Sequence, residues 1–224
     1  MSKTLLVGLI SAAILTAGPA PAQNVLQGDI RHDPNSNPSE RVIDLFRGDL
    51  GAEIGIGCSN PDGTSGGPND VAVRVTSPLP TPFNIISHFY NIDTVLSPTI
   101  TSLTFSVWGA GAIPGGVIGT QPGLDFAFGN HTIAIQPPIA VNSVQFFFGH
   151  MQPQTSAGIR WGLDTSSGGG TDSFIRAPAC DAPDWATLTS IGFAGNWVMS
   201  VTIDDAGPTP IELATWGQVK KLWQ

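Results

Sequence analysis

The 224-residue sequence is poor in charged side chains, since Asp, Glu, Lys and Arg make up only 12% of it. A soluble cytosolic domain usually carries about 25%. Basic residues are the scarcer kind, with 9 Lys and Arg against 17 Asp and Glu, so the net charge is -8. A negative field of this kind repels nucleic acid and anionic membrane surfaces, and we exclude both as partners of the main domain.

The sequence also lacks the short motifs of common hydrolytic and redox sites. It contains no H-E-x-x-H and no C-x-x-C. A glycosidase needs two carboxylates held across a sugar ring, yet glutamate occurs only at Glu40, Glu53 and Glu212. Most aspartates lie in turn sequences, where they are expected as turn formers. These absences favour a protein that is not an enzyme, with an exported polysaccharide hydrolase as the alternative.

Residues 1–22 have the pattern of a secretory signal peptide. An apolar run at residues 5–17 is too short to span a bilayer, and an A-x-A cleavage motif follows at residues 20–22. We therefore expect a bacterial protein that is secreted or held at the cell surface, with no transmembrane span in the mature chain. The alternative, a buried N-terminal helix, is disfavoured because Pro19 and Pro21 would break it.

Cysteine is scarce as well, with only Cys58 and Cys180 in the chain. In an oxidising compartment, two cysteines most simply form one disulfide. Closing a loop of more than a hundred residues would stabilise the fold by about 4 to 5 kcal/mol in the chain-entropy model. The alternative, two free buried thiols, stays open from the sequence.

Glycine and proline are abundant, at 27 and 19 residues, and they separate short segments of alternating apolar and polar side chains. Alternation with a period of two is typical of half-buried strands. Residues 144–148 are almost wholly apolar, which predicts a central strand covered on both faces. The predicted strands cover residues 52–57, 71–76, 83–93, 103–108, 117–120, 132–136, 144–148, 158–163, 173–176 and 196–203.

Segments of this kind with no helical pattern between them predict an all-β fold. We expect an antiparallel β-sandwich of about nine to eleven strands, of jelly-roll type, with an immunoglobulin-like sandwich as the alternative. The sandwich would span residues 51–205, after an N-terminal arm at 23–50 that adds one edge strand. A linker at 206–214 and a short amphipathic tail at 215–224 would follow.

Three stretches, GCSNPDGTSGGPNDVAV, RWGLDTSSGGGTDSFIRAP and GNWVMSVTI, carry a resemblance to a known kind of module. It is similar to a jelly-roll-like β-sandwich found in exported proteins of environmental bacteria. The resemblance covers about residues 51–205 and implies the fold, but no catalytic residues come with it. The closing TWGQVKKLW resembles short terminal tails of such proteins, which implies sorting or attachment.

The tail at residues 215–224 begins with a capping-box pattern, with Thr215 as N-cap and Gln218 three residues later. Its two tryptophans and two lysines predict docking onto another surface, whereas the alternative is a tail that packs back on the sandwich or frays. The sequence lacks the hydrophobic span and basic cluster that end many sorted bacterial proteins. The candidate docking residues are Trp216, Lys220, Lys221 and Trp223.

Two Asp- and Gly-rich loops are the candidate metal sites. Calcium takes six to eight oxygen ligands from carboxylates, Asn side chains and backbone carbonyls, and glycine-rich loops expose their carbonyls well. We expect no other cofactor, and structural calcium is the ion to test; the alternative is Asx turns without an ion. The candidate ligands are Asn60, Asp62 and Asp70 in one loop and Asp164 and Asp172 in the other.

Surface recognition is the remaining function class, with a glycan or a cell-surface protein as the partner. If Leu103, Phe105 and Val107 face the core, alternation turns Trp108 outward, where a flat ring can stack on a ligand. The alternative is that a loop or the N-terminal arm covers Trp108. The candidate ligand-binding residues are Trp108, Tyr90, His88, Arg74 and Arg160.

Overall fold

The protein is an all-β sandwich of two antiparallel sheets in a computed structural model that describes residues 30–31, 42–58, 68–95, 103–152 and 159–205. Eleven of the strands in these residues have five residues or more, and β1, β3 and β13 are shorter. The strands are β1 (Ile30–Arg31), β2 (Val42–Phe46), β3 (Ile54–Ile56), β4 (Asp70–Thr76), β5 (Phe83–Val95), β6 (Thr104–Trp108), β7 (Val117–Pro122), β8 (Gly129–Val141), β9 (Gln145–Met151), β10 (Ile159–Asp164), β11 (Ser173–Ala177), β12 (Ala182–Thr187), β13 (Asn196–Trp197) and β14 (Met199–Asp204). Two 3-10 turns, Pro178–Cys180 and Thr189–Ile191, flank β12.

The first sheet, called the front sheet here, has the order β1-β2-β14-β5-β10-β13, with β8 also paired to β5 and β3 to β10. The second, the back sheet, has the order β12-β11-β4-β9-β6-β7. The N-terminal arm contributes two strands and not the single edge strand predicted for it, because β2 pairs with β14 on one side and with the two-residue β1 on the other. None of the described helices is long and apolar enough to cross a membrane.

The core lies between the two sheets, where their inward side chains meet. On β14 the alternation of the sequence places Met199, Val201 and Ile203 on one face, and all three are buried, as a core-facing set should be. On β9, three consecutive phenylalanines at 146–148 are fully buried. This strand lies between β4 and β6 and is covered on both faces, as its apolar run predicts.

The long strand β5 contains a bulge that changes which face its side chains occupy. Its pairing with β8 shifts register between Ile85 and Ser87. Before the shift Ile85 faces the core, and after it His88 and Tyr90 do. An extra residue in a strand moves every later side chain to the opposite face, because the side-chain period is two.

The disulfide between Cys58 and Cys180 is confirmed, with the two Cα atoms 5.6 Å apart. Cys58 follows β3 of the front sheet, and Cys180 ends the turn after β11 of the back sheet. The Asn69 side chain accepts a hydrogen bond from the Cys58 amide (3.2 Å) and donates one to the Cys58 carbonyl (2.6 Å). The bond therefore links the two sheets at a backbone position that is already hydrogen-bonded.

Candidate functional site

The predicted aromatic binding face is not exposed where alternation placed it. His88 and Tyr90 are buried in the core, so their assignment as surface ligand-binding residues is wrong. The β5 bulge is the physical reason, because it reverses the alternation on which that assignment rested. The bulge depends on pairing with distant strands, and no local sequence signal marks it.

Trp108 does face away from the main core, but it is covered. Only 3% of the residue is exposed, and its ring meets the Trp185 ring edge-on at a centroid distance of 5.5 Å. It belongs to a second apolar cluster with Ala72, Phe147 and Phe174 on the outer face of the back sheet. The covering residue Trp185 lies on β12, a strand that the sequence did not predict, so Trp108 as an exposed stacking platform is wrong.

The two predicted arginines lie on different sheets and form no common site with Trp108. Arg74, on β4 of the back sheet, is half-buried and lies over the Phe174 ring at 5.6 Å. Its guanidinium binds Asp172 at 2.6 Å. Arg160, on β10 of the front sheet, is exposed. Arg74 therefore acts in an ion pair, and Arg160 keeps the exposure predicted for it.

A groove crosses the outer face of the front sheet and has a volume of about 340 Å³. Its floor comes from side chains of neighbouring strands that lie side by side in the pairing register. Thr202 lies between Asp44 and Ser87 in one row, and Ser200 and Phe89 are paired in the next. The lining residues are Val42, Asp44, Leu50, Ser87, Phe89, Thr132, Ser200 and Thr202.

The polar row in this groove has a defined hydrogen-bond direction. The Thr202 hydroxyl donates to Asp44 Oδ1 at 2.6 Å, and the Ser87 hydroxyl lies 3.3 Å from the Thr202 hydroxyl. Because Thr202 has a single proton and gives it to the carboxylate, Ser87 is the donor in the second contact. Hydroxyls, a carboxylate and the half-buried Phe89 ring thus lie together on an open sheet face.

The sequence does not reveal the groove, because alternation that turns His88 and Tyr90 outward necessarily turns Phe89 towards the core. The bulge turns Phe89 and Ser87 outward together. Asp44 lies on β2, within the predicted N-terminal arm, and belongs to none of the predicted sites. Its outward direction agrees with the alternation of the sequence, in which the apolar Ile43 and Leu45 flank it, and both of these are buried.

Two of the predicted calcium ligands are instead paired with arginines. Asp70 is 2% exposed and accepts hydrogen bonds from Arg176 Nε at 2.9 Å and Nη2 at 2.5 Å. Burial raises the pKa of Asp70, although Arg176 acts in the opposite direction. Asp172 binds both Arg47 (3.1 Å) and Arg74 (2.6 Å). Guanidinium groups occupy the position expected for a cation, so the assignment of Asp70 and Asp172 as metal ligands is wrong.

Asp164 lies in a different environment, beside Asp49 and Glu53. One carboxylate oxygen from each of the three lies within 4.8 Å of the others, a spacing that could hold a metal ion. Only Asp164 of this group was predicted, because the other two come from the loop between β2 and β3. The remaining predicted ligands, Asn60 and Asp62, lie outside the described residues.

Hydrogen bonds already organise the loop around Asp164. Its carboxylate accepts from the backbone amides of Ser166 (2.9 Å) and Ser167 (3.2 Å), which is the Asx-turn arrangement left open above. Burial acts to raise the pKa of Asp164, but these bonds and those from the Ser167 hydroxyl and the Asp49 amide outweigh it, and the pKa is lowered. Gly48 has a φ of 76°, and a Cβ there would lie 1.9 Å from Asp164 Oδ2. Only glycine fits this close approach.

The predicted signal peptide, linker and tail lie outside the described residues. This also holds for the four candidate docking residues of the tail. Their roles stay predictions from the sequence.

No protein-family model and no curated protein matches this chain. Among solved structures, it is similar to the cysteine protease and lectin-like domains of Cwp84, a surface layer associated protein of Clostridium difficile. That match has a TM-score of 0.45 and 8% identity, and it covers 61% of this chain and 32% of the other. A second structure of the clostridial cysteine protease Cwp84, after propeptide cleavage, matches with a TM-score of 0.48 and 8% identity, over 75% of this chain and 41% of that one. Similarities at this level carry no inference about a ligand or an activity.

Proposed function

We propose that this chain is an exported, non-enzymatic binding module that holds a glycan in the groove on the outer face of the front sheet. The observation that carries the proposal is the groove itself, with Phe89, hydroxyl side chains and the Asp44 carboxylate on one open face. The strand orders β2-β14-β5-β8 and β4-β9-β6-β7 further support a sandwich of jelly-roll type.

The chemistry of the groove matches the chemistry of a sugar ring. A phenyl ring stacks on the apolar C–H face of a sugar, while hydroxyl and carboxylate oxygens exchange hydrogen bonds with its hydroxyl groups. The volume of about 340 Å³ lies at the small end of the range typical of small-molecule sites. A neutral mono- or disaccharide unit of a larger glycan is therefore the ligand class that we propose.

A glycan array tests this proposal with the wild type and two variants. Phe89→Ala removes the stacking ring from the groove, and we expect it to lose binding. Phe128→Ala is the matched control, because Phe128 is 75% exposed and does not line the groove. Binding that both variants retain, or an array without signal for the wild type, would reject the groove as a glycan site.

The alternative is an exported hydrolase that acts on polysaccharide, and the groove carboxylate gives this alternative a specific test. Turnover of a panel of chromogenic glycosides by the wild type, abolished in Asp44→Asn, would contradict the non-enzymatic proposal. We expect no turnover, because the groove lining contains one carboxylate and glycosidases use two.

A protein at the cell surface is the other partner class. If the module binds intact cells and an excess of free sugars does not reduce that binding, the partner is a protein and not a glycan.

The location is part of the same proposal. The signal-peptide pattern at residues 1–22 and the scarcity of charge support a protein that is secreted or attached to the bacterial surface. The tail at 215–224 is proposed to dock the module there, through its two tryptophans and two lysines.

A further inference from the structure

A pair of histidines joins the two sheets inside the sandwich. His88 lies on β5 of the front sheet, and His150 lies on β9 of the back sheet. Their Nε2 atoms are 2.6 Å apart, and both side chains are completely buried. A hydrogen bond therefore crosses the apolar core between two residues that are 62 positions apart in the chain.

The hydrogen bonds determine which nitrogen of each ring carries its proton. His88 Nδ1 is 2.8 Å from the Ser200 carbonyl oxygen, which can only accept, so this nitrogen is the donor. In the neutral ring, His88 Nε2 is then an acceptor, and His150 Nε2 must donate to it. His150 Nδ1 is left as an acceptor, and it has no hydrogen-bond partner among the described residues.

The groups around the pair are mainly aromatic. Phe105, Phe148 and Trp161 pack against one or both imidazole rings. Tyr90 stacks on His88 and on His131, and its hydroxyl donates to the Asp125 carbonyl. The titratable groups that contact the pair or its aromatic neighbours are Tyr90 and His131, and the Asp125 carboxylate lies 3.7 Å from His131 Nδ1.

We infer that His88 and His150 form a proton-sensitive tie, which holds the two sheets together while both rings are neutral and releases them in acid. The only nitrogen of the pair that can take a further proton is His150 Nδ1, since the other three donate or accept already. A proton there creates a cation in an apolar core with no acceptor for its N–H among the described residues. Such a charge is costly to bury, so a low pH favours the unfolded chain, in which the imidazolium ion is hydrated.

The direction of the pH dependence follows from the ionisation of the two rings. Burial lowers the pKa of His88 to about 3. The pKa of His150 lies well below its ordinary value, mainly because the ring is buried and secondly because His88 and His131 repel a positive charge on it. In the unfolded chain both rings would bind protons from a pH of about 6.5 downward. The contribution of the tie to the free energy of unfolding is therefore complete above pH 6.5 and is lost as the pH falls below that value.

Equilibrium unfolding of the full chain between pH 7 and pH 5 tests the tie. Below pH 6.5, the ratio of unfolded to folded protein should rise up to about tenfold per pH unit for each buried histidine, and up to about a hundredfold for two. Carboxyl groups with ordinary pKa values near 4 contribute little in this range, and Asp70, whose pKa is raised by burial, would take up its proton in the folded chain and so act against this slope. Changing both residues, His88→Phe with His150→Phe, should remove this slope, whereas His131→Gln, a histidine outside the pair, should retain it.

A long-range ¹H–¹⁵N spectrum of the histidine rings at pH 7 gives a second, independent readout on the wild type. We expect the proton of His88 on Nδ1 and that of His150 on Nε2. The opposite tautomers, or an uptake of less than one proton on wild-type unfolding at pH 5.5, would overturn the inference even if the double variant did not fold. Neither measurement needs a ligand, so its failure is distinguishable from failure of the glycan proposal.

Discussion

The two outer faces of the sandwich both carry aromatic residues, but those on the back sheet are covered and Phe89 on the front sheet is not. On the back sheet, Trp108 is closed over by Trp185 and joins a small apolar cluster. On the front sheet, Phe89 stays half-buried in the wall of a groove that also holds hydroxyl groups and a carboxylate. An aromatic side chain that points away from the core is thus a candidate binding residue only where no neighbouring strand covers it.

The cover over the back sheet comes from β12 at its edge. This strand pairs with β11 and brings Trp185 onto the outer face, where Arg176 lies over the Trp185 ring at 5.3 Å. Arg176 is held in turn by the buried Asp70. Trp185, Arg176 and Asp70 together close the outer face of the back sheet. Among the described residues, no such set of side chains covers the groove of the front sheet.

The largest expected effect concerns both faces equally. Replacing Cys58 and Cys180 together by serine removes the covalent link between the two sheets. We expect the free energy of unfolding to fall by about 4 to 5 kcal/mol in urea titrations. Mass analysis of the unreduced wild type should first show no free thiol, and an unchanged unfolding midpoint in the double variant would show that the bond adds no stability.

The next effect separates the two faces. Trp108→Ala leaves a cavity under Trp185 and should lower the free energy of unfolding by about 3 kcal/mol, as for other buried aromatic residues. It should leave glycan binding unchanged in protein that is still folded. Phe89→Ala should cost about 1 kcal/mol or less, because the ring is only half-buried, but it should abolish binding. Equal losses of stability in the two variants would contradict the distinction between a closed and an open face.

The smallest effect concerns the three carboxylates next to the open face. Asp49 directly precedes Leu50, which lines the groove, so an ion held by Asp49, Glu53 and Asp164 would also fix one wall of the groove. With calcium at ten times its dissociation constant, we expect a stabilisation of about 1.4 kcal/mol. The melting temperature should fall on adding a chelator to the wild type and stay constant in Asp49→Asn. If the chelator does not change the melting temperature of the wild type, the three carboxylates hold no calcium, and Asp164 serves only to form the Asx turn.

The sequence by itself determined the all-β class, most of the long strands and the two partners of any disulfide. Alternation is a local property of a strand, and it correctly assigns the inward residues of β14 and the doubly covered β9. Two cysteines leave one possible bridge within the chain, and the sequence left open only whether that bridge forms. The strand β12 was missed because Pro183 and Asp184 interrupt any alternation there.

Only the tertiary structure decided which faces are open and which polar groups meet. The bulge in β5 shifts its register against both β8 and β14, two strands that come much later in the chain, and it exchanges His88 and Tyr90 for Phe89 at the surface. The pairing of Asp70 with Arg176 and of His88 with His150 joins residues 106 and 62 positions apart. Such contacts depend on strand order and register across the sandwich, and the local pattern of a sequence contains neither.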